Sequence, residues 1–144
     1  MTIRRFILGL AAVASPVVAQ AQKQVIPAGP GVSNTATLSA GVRVGDLLYL
    51  SGKLPARGDS TIEGQTKSAL EAMNPILAAA GTSAANIVKC TVFLIDVKDF
   101  PGMNKAYSAF FPKEPPARST VVVAALVTGG AKLEVECIAA IPKS

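Results

Sequence analysis

The chain contains no histidine and no tryptophan, and it is poor in aromatic and charged residues. Of its 144 residues, 5% are aromatic and 16% are charged, whereas 50% are hydrophobic. The lack of histidine excludes catalytic triads built on a histidine base, and it excludes metal sites that use imidazole ligands. The lack of large aromatic side chains means that any core must be mainly aliphatic.

Cysteine is also scarce, with only Cys90 and Cys137 in the whole chain. An oxidising compartment would permit a disulfide if their Cα atoms lay within about 7 Å of each other. Both residues fall in runs that predict buried strands, where such geometry is uncommon, so we expect two free buried thiols. A catalytic role is disfavoured because neither cysteine has a histidine partner.

Residues 1–21 have the pattern of a secretory signal peptide. Arg4 and Arg5 form a basic start, residues 6–14 are apolar, and Ala19-Gln20-Ala21 fits a small-residue cleavage site. The alternative is an uncleaved membrane anchor, but the apolar stretch is shorter than the ~20 residues that a spanning helix needs. We therefore expect a periplasmic or secreted protein with no stable membrane insertion after cleavage.

The rest of the chain, residues 22–144, is long enough for one domain. Removing the two arginines of the leader lowers the formal charge from +5 to about +3. The basic residues that give this mild positive charge do not form a cluster interleaved with aromatic residues. The sequence therefore gives no support for nucleic-acid binding.

Strand and helix patterns alternate along this domain. Helical spacing predicts a helix over Thr66–Ala80, kinked at Pro75, and a second helix that is capped by Asp99 and ends before Pro112. Their order with the strand candidates is β-β-α-β-α-β-β, which predicts an α+β fold with two helices on one face of a mixed sheet. Two short candidates, Thr35–Leu38 and Val42–Val44, precede the strand Leu47–Ser51, and together they predict one hairpin. The later strand candidates are Ile87–Ile95, Thr120–Leu126 and Lys132–Ile141.

The last strand candidate has two unlike faces. One face carries an apolar set of side chains, Leu133, Val135, Cys137 and Ala139, which alternates with a second, partly apolar set on the other face. Helices would cover the first set. The second set would then need another subunit, and we expect an oligomer. Its members are Glu134, Glu136, Ile138 and Ala140.

Arg118 stands at the start of an apolar strand, in Pro116-Ala117-Arg118-Ser119. A guanidinium in such a position is costly unless it meets an anion. The anion could be a substrate carboxylate, or it could be Glu134 or Glu136 in a purely structural ion pair, because arginine suits both. The sequence leaves these alternatives open.

Five segments, in this order along the chain, resemble the RidA/YjgF family of reactive intermediate deaminases, and the resemblance covers nearly all of residues 22–144. Each segment is modest alone, and the ordered set is specific. The segments are Val44-Gly45-Asp46-Leu47-Leu48-Tyr49-Leu50-Ser51-Gly52, Ile87-Val88-Lys89-Cys90-Thr91-Val92-Phe93, Asn104-Lys105-Ala106-Tyr107-Ser108-Ala109-Phe110-Phe111, Pro116-Ala117-Arg118-Ser119 and Leu133-Glu134-Val135-Glu136.

The resemblance implies a bacillus-type chorismate-mutase-like homotrimer with active sites in the clefts between subunits. It implies a 2-iminobutanoate/2-iminopropanoate deaminase-like hydrolase that converts enamines or imines, such as 2-aminoacrylate, to 2-keto acids and ammonia without a cofactor or metal. Arg118 would hold the substrate carboxylate and Glu134 would orient the attacking water, while Ser51, Gly52 and Asn104 would line the pocket. Such chemistry needs positioning and a general base rather than a strong nucleophile.

Two departures from the family pattern bear on function. Leu38 stands where deaminase members often carry a tyrosine, and the turn between Leu126 and Lys132 lacks the usual Leu-Pro and is one residue longer. The first departure supports an alternative function, a non-catalytic module that binds small carboxylates on the same trimeric fold. The second leaves Glu136 open as an alternative to Glu134. Nothing in the sequence favours the chaperone-like or RNA-cleaving activities reported for family members.

Overall fold

The structure is a computed structural model that describes residues 22–143, so the signal-peptide prediction for residues 1–21 lies outside it. Six strands form one sheet in the order β1-β2-β3-β6-β4-β5. Their bounds are β1 Lys23–Val25, β2 Gly41–Val44, β3 Leu47–Lys53, β4 Ile87–Leu94, β5 Ala117–Val122 and β6 Leu133–Ala140.

The last strand occupies the centre of the sheet. β6 pairs antiparallel with β3 on one side and with β4 on the other. β4 and β5 are parallel, which requires a crossover between them, and the helix after β4 provides it. The sheet is therefore mixed, as the sequence predicts.

Three α-helices lie in the described residues, with bounds α1 Ile62–Glu71, α2 Asn74–Ala79 and α3 Phe100–Phe110. Thr61 caps α1, because its hydroxyl accepts a hydrogen bond from the amide of Gly64 at 3.1 Å. The single kinked helix expected over Thr66–Ala80 is instead two helices. Pro75 lies in the first turn of α2, where its missing N–H costs no hydrogen bond. No helix within residues 22–143 is long and apolar enough to cross a membrane.

Asp99 does not cap α3 with its side chain, contrary to the sequence-based expectation. Its carboxylate lies 3.3 Å from Nζ of Lys132 and forms an ion pair between the start of α3 and the start of β6. Asp96 is the residue that caps, since its Oδ1 accepts from the amide of Lys98 at 2.9 Å in the turn before α3. The carboxylate of Asp99 therefore forms a long-range ion pair instead of the local helix cap that the sequence pattern predicts.

The core lies between the sheet and α1, α2 and α3. As the alternation in β6 predicts, the helix-facing side chains of β6 are buried. Burial of each large aliphatic side chain stabilises the fold by roughly 1.5–3 kcal/mol. The opposite face of the sheet, called the open face below, carries partly exposed side chains such as Tyr49, Glu134 and Val121. The buried β6 residues are Leu133, Val135, Cys137 and Ala139.

Two strand predictions are wrong in detail. Residues 35–38 form a loop, held by Asn34, which donates to the carbonyl of Ile26 at 2.8 Å and accepts from the amide of Ala40 at 2.7 Å. The apolar run beginning at Thr120 leaves the sheet after Val122, although β5 starts earlier, at Ala117. At residues 35–38, the two hydrogen bonds of Asn34 outweigh the β-propensity of the short run.

Cys90 and Cys137 form a disulfide, which contradicts the expectation of two free thiols. The residues lie directly opposite each other on β4 and β6, with their Cα atoms 4.1 Å apart. That separation is within reach of a bridge and lies near the close pairs of an antiparallel ladder. The prediction failed because the sequence does not reveal that β6 inserts beside β4 in this register.

Candidate active site

Arg118 lies on the helix-facing side of β5, against α3. Its Nη2 donates to Oδ1 of Asn104 at 2.6 Å, and its Nη1 contacts Sδ of Met103 at 3.7 Å. The guanidinium carbon lies 4.6 Å from the centroid of the Tyr107 ring, a cation-π contact. We call Arg118, Asn104, Met103 and Tyr107 the arginine half-site.

Strand register and helix periodicity explain this arrangement. Arg118 is the neighbour of Cys90 in the parallel β4–β5 pair, so its side chain shares the helix-facing side with the buried disulfide. Asn104 and Tyr107 are three residues apart on α3, so both present to the same side of the helix. A polar and an aromatic contact thus compensate for part of the desolvation of Arg118.

Arg118 has no carboxylate partner among residues 22–143 within salt-bridge distance. The structural ion pair with Glu134 or Glu136, one of the two alternatives from the sequence, is therefore wrong. Both glutamates alternate with the buried residues of β6 and lie on the open face, away from Arg118. The side chain of Arg118 is held in place by neutral groups.

Tyr107 is 3% exposed and lies directly against Arg118. Burial raises the pKa of its phenol to about 12, although the Arg118 charge acts in the opposite direction. The phenol therefore remains a neutral hydrogen-bond donor at physiological pH. Its hydroxyl has no hydrogen-bond partner in the described part of the chain, and the same holds for the hydroxyl of Thr120, two residues after Arg118.

Glu134 lies over the backbone of Gly52 on the neighbouring strand. A Cβ at position 52 would overlap Oε1 of Glu134, so glycine is what lets the carboxylate occupy this place. Ser51 donates its hydroxyl hydrogen bond to the carbonyl of Ser39 at 2.6 Å. The pairing of β3 with β6 is irregular between Leu50 and Lys53, which is where this approach occurs. We call Glu134, Ser51 and Gly52 the glutamate half-site.

Leu38 lies at the edge of the glutamate half-site. It precedes Ser39, whose carbonyl binds Ser51, and the Leu38 side chain is 51% exposed. An exposed leucine here offers apolar surface and no hydroxyl. The loop that contains it is anchored to the same strand that carries Gly52.

The structure thus assembles the predicted site residues in two groups. Arg118 contacts Asn104, whereas Glu134 lies with Ser51 and Gly52. The strands of Arg118 and Glu134 are separated by β4, a distance of about 10 Å across the sheet, and the side chains point to opposite faces. Within one chain, the two half-sites do not meet.

Sequence reasoning missed some of the contacts around these groups. Tyr107 was not among the predicted site residues, although its spacing of three residues from Asn104 was a signal that it could reach Arg118 as well. On the open face, Nζ of Lys89 donates to the hydroxyl of Ser119 at 2.7 Å across the β4–β5 pair. Gln65, buried at the start of α1, carried no signal in the sequence. Among residues 22–143, no cluster of three or more acidic or cysteine side chains is arranged to hold a metal ion.

Comparisons with known proteins agree on one family. The family described as Endoribonuclease L-PSP matches residues 31–141. Reactive Intermediate Deaminase A, chloroplastic, from Arabidopsis thaliana is 37% identical over 82% of this chain and 66% of its own length. A 2-iminobutanoate/2-iminopropanoate deaminase from Capra hircus is 41% identical over 70% of this chain and 77% of its own length.

A solved structure from Yersinia pestis, described as a member of the conserved Rid protein family, has the same fold. It superposes with a TM-score of 0.76 at 33% identity, covering 83% of this chain and all of that protein's chain (100%). The predicted α+β, chorismate-mutase-like fold is thereby confirmed.

The expected periplasmic or secreted location is wrong by these comparisons. The Arabidopsis relative is named as chloroplastic, and the protein mmf1 of Schizosaccharomyces pombe, 37% identical over 76% of this chain and 72% of its own length, is named as mitochondrial. The error has a physical reason. Targeting segments for several compartments share a basic start that lacks acidic residues and is followed by small and apolar residues.

The matched residues extend from the strand pair that carries Ser51 and Gly52 to the strand that carries Glu134, and they include Arg118 and Asn104. Together with the shared fold and the identities above, this extent shows that the chain belongs to the Endoribonuclease L-PSP family, which is the RidA/YjgF family.

Proposed function

We propose that this protein is an imine and enamine deaminase that hydrolyses 2-imino acids to 2-keto acids and ammonia. The observation that carries the proposal is Arg118, a fixed guanidinium held by Asn104 and Tyr107 with no carboxylate partner among residues 22–143. A substrate that bears a carboxylate beside its imine carbon fits this cation. Relatives that carry the name 2-iminobutanoate/2-iminopropanoate deaminase support the substrate class.

Arg118 binds the substrate carboxylate and fixes the position of the adjacent C=N bond. A guanidinium forms two parallel hydrogen bonds to a carboxylate, which sets both distance and orientation. Asn104 and Tyr107 keep the guanidinium in one conformation, so less conformational entropy is lost when substrate binds. The imine carbon is already electrophilic, and correct placement supplies much of the rate.

Glu134 acts as the general base for the attacking water. It takes a proton from the water as the oxygen bonds to the imine carbon, and it passes that proton to the imine nitrogen. The resulting carbinolamine loses ammonia and leaves the 2-keto acid, so one water is consumed for each ammonia released. The absence of a side chain at Gly52 leaves room for the Glu134 carboxylate against the backbone of β3.

We propose that the site is completed by a second copy in a homotrimer. In one chain the two half-sites point to opposite faces, so the glutamate half-site of one copy must meet the arginine half-site of another. Partly exposed apolar residues on the open face support such an interface, because Tyr49 and Val121 are each 45% exposed.

A non-catalytic module that binds small carboxylates is the second candidate. The exposed Leu38 favours it, because no hydroxyl is offered at the edge of the glutamate half-site. Such a module would retain binding through Arg118 and would lack turnover. The same assay distinguishes the two functions.

The test couples the purified protein to an amino-acid oxidase that generates 2-imino acids, with a trap for the surviving imine. Wild-type protein should accelerate keto-acid release, and Glu134→Gln should lower kcat by about 10²-fold or more, because the general base is lost. Glu136→Gln is the matched control and should retain wild-type kcat.

If wild type gives no acceleration with any of a panel of amino acids, yet binds a 2-keto acid, the protein is a binding module. If Glu136→Gln abolishes turnover and Glu134→Gln does not, Glu136 is the base instead of Glu134.

Gly52→Ala should impair catalysis while leaving the fold intact. The new Cβ overlaps the end of the flexible Glu134 side chain, which can rotate away at little cost in stability. Because a displacement of about 1 Å can cost ~10²-fold in rate, we expect kcat to fall by about 10-fold to 10²-fold. The control is Gly29→Ala, since a Cβ at position 29 would meet no atom within 4 Å. Equal kcat values for the two variants would contradict the placement of Glu134.

A further inference from the structure

Gln65 is a buried polar residue at the start of α1 that binds two separate loops. It is 3% exposed, and its Nε2 donates to the carbonyl of Asp59 at 2.8 Å and to the carbonyl of Gly130 at 3.0 Å. Its Oε1 accepts from the amide of Lys132 at 2.7 Å. Two carbonyl acceptors on one side and one amide donor on the other fix the orientation of the side-chain amide.

The two loops that Gln65 connects adjoin the glutamate half-site. Residues 54–61 follow β3, which carries Ser51 and Gly52, and residues 123–132 lead into β6, which carries Glu134. Lys132 is the last residue before β6, so the Gln65 contact fixes the backbone two residues before Glu134. A cleft of about 620 Å³ lies between the same two loops.

The other contacts of Lys132 show that the start of β6 is held from several sides. Its carbonyl accepts from the amide of Ile95 at 3.0 Å, and its Nζ pairs with Asp99 at 3.3 Å. Both of these partners come from the segment after β4. Gln65 supplies the contact from the side of α1. The same side chain also binds the carbonyl of Asp59 in the loop after β3.

We infer that Gln65 is a positioning residue that sets the Glu134 carboxylate against Gly52 by joining the loops that flank β3 and β6. The inference rests on the proposed function, since it assigns to Gln65 the placement of the general base. Gln65 touches neither the arginine half-site nor Glu134 itself, so its loss should disturb turnover and spare carboxylate binding.

The test replaces Gln65 with methionine, which keeps length and approximate volume and removes all three hydrogen bonds. In the oxidase-coupled assay, Gln65→Met should lower kcat by about 10-fold and change KM by less than about twofold, because Arg118 still binds the carboxylate. Thr66→Val is the control: Thr66 is also buried on α1, but its hydroxyl donates only within the helix, to the carbonyl of Ile62 at 2.7 Å. It should retain wild-type kcat.

A second measurement is independent of activity. Hydrogen exchange of the Lys132 amide should be faster in Gln65→Met than in wild type or Thr66→Val, because the amide has lost its acceptor. Unchanged exchange at Lys132, or equal kcat losses in Gln65→Met and Thr66→Val, would overturn the inference. Inactive wild type with the expected exchange pattern would overturn the proposed function and leave the loop connection established.

Discussion

Replacing Arg118 with alanine should lower kcat/KM for 2-imino acids by about 10²-fold to 10³-fold. Losing one partner of a desolvated ion pair costs about 2–5 kcal/mol, and each 1.4 kcal/mol corresponds to a factor of ten. The effect should appear in KM as well as kcat, because Arg118 binds the carboxylate before and during the reaction. The measurement is the oxidase-coupled assay with variable amino-acid supply.

Arg118→Lys tests the geometry of this contact. An ammonium keeps the charge and loses the planar pair of donors, as well as the fit to Asn104 and the Tyr107 ring, so it should recover only a minor part of the loss. Arg43→Ala is the control, since Arg43 binds the carbonyl of Gly45 in its own hairpin. Wild-type kcat/KM in Arg118→Ala, with binding of 2-keto acids unchanged, would exclude Arg118 as the carboxylate receptor.

Removing the disulfide should cause the largest loss of stability. The bond between Cys90 and Cys137 closes a loop across a sequence separation of 47 residues. In the chain-entropy description such a loop constrains the unfolded state by about 4 kcal/mol, and measured losses are commonly 2–4 kcal/mol. We therefore expect the Cys90→Ala/Cys137→Ala double variant to unfold at lower urea concentration, with a free energy of unfolding lower by about 2–4 kcal/mol.

Wild type treated with a reductant should approach the stability of the double variant. The single variant Cys137→Ala should release one thiol that reacts with an alkylating reagent after denaturation, whereas wild type should release none until it is reduced. Two reactive thiols in denatured, unreduced wild type would show that the bond does not form in the purified protein. Equal stability of wild type and double variant would show that the bond does not constrain the unfolded chain.

The sequence predicted most elements because their signals are local. Alternation of an apolar set with a second, partly apolar set located β6, and the strand candidate Ile87–Ile95 located β4. The predictions failed where a side chain formed a contact that the pattern did not show: Asp99 pairs with Lys132 across 33 residues, and Asn34 holds residues 35–38 in a loop. Local propensity is a small term beside such contacts.

The sequence predicted which residues belong to the candidate site, but it did not predict which of them lie together. Ordered segments resembling a known family identified Arg118, Asn104, Ser51, Gly52 and Glu134 as candidates, and the family match covers all of them. Their grouping into two half-sites on opposite faces required the strand order, because β4 separates β5 from β6. The role of Gln65 required it too, since its partners lie in two loops that are far apart in the chain.

The sequence alone determined that the core is aliphatic, that histidine chemistry is excluded, that helices cover one face of a mixed sheet, and that Arg118 is a candidate anion receptor. These follow from composition and from the period of each element. The tertiary structure decided which residues are neighbours. Cys90 and Cys137 form a disulfide, and Glu134 lies over Gly52. Among the described residues, Arg118 has no carboxylate partner. The reason is that β6, the last strand in the chain, is inserted at the centre of the sheet, and no local pattern encodes that placement.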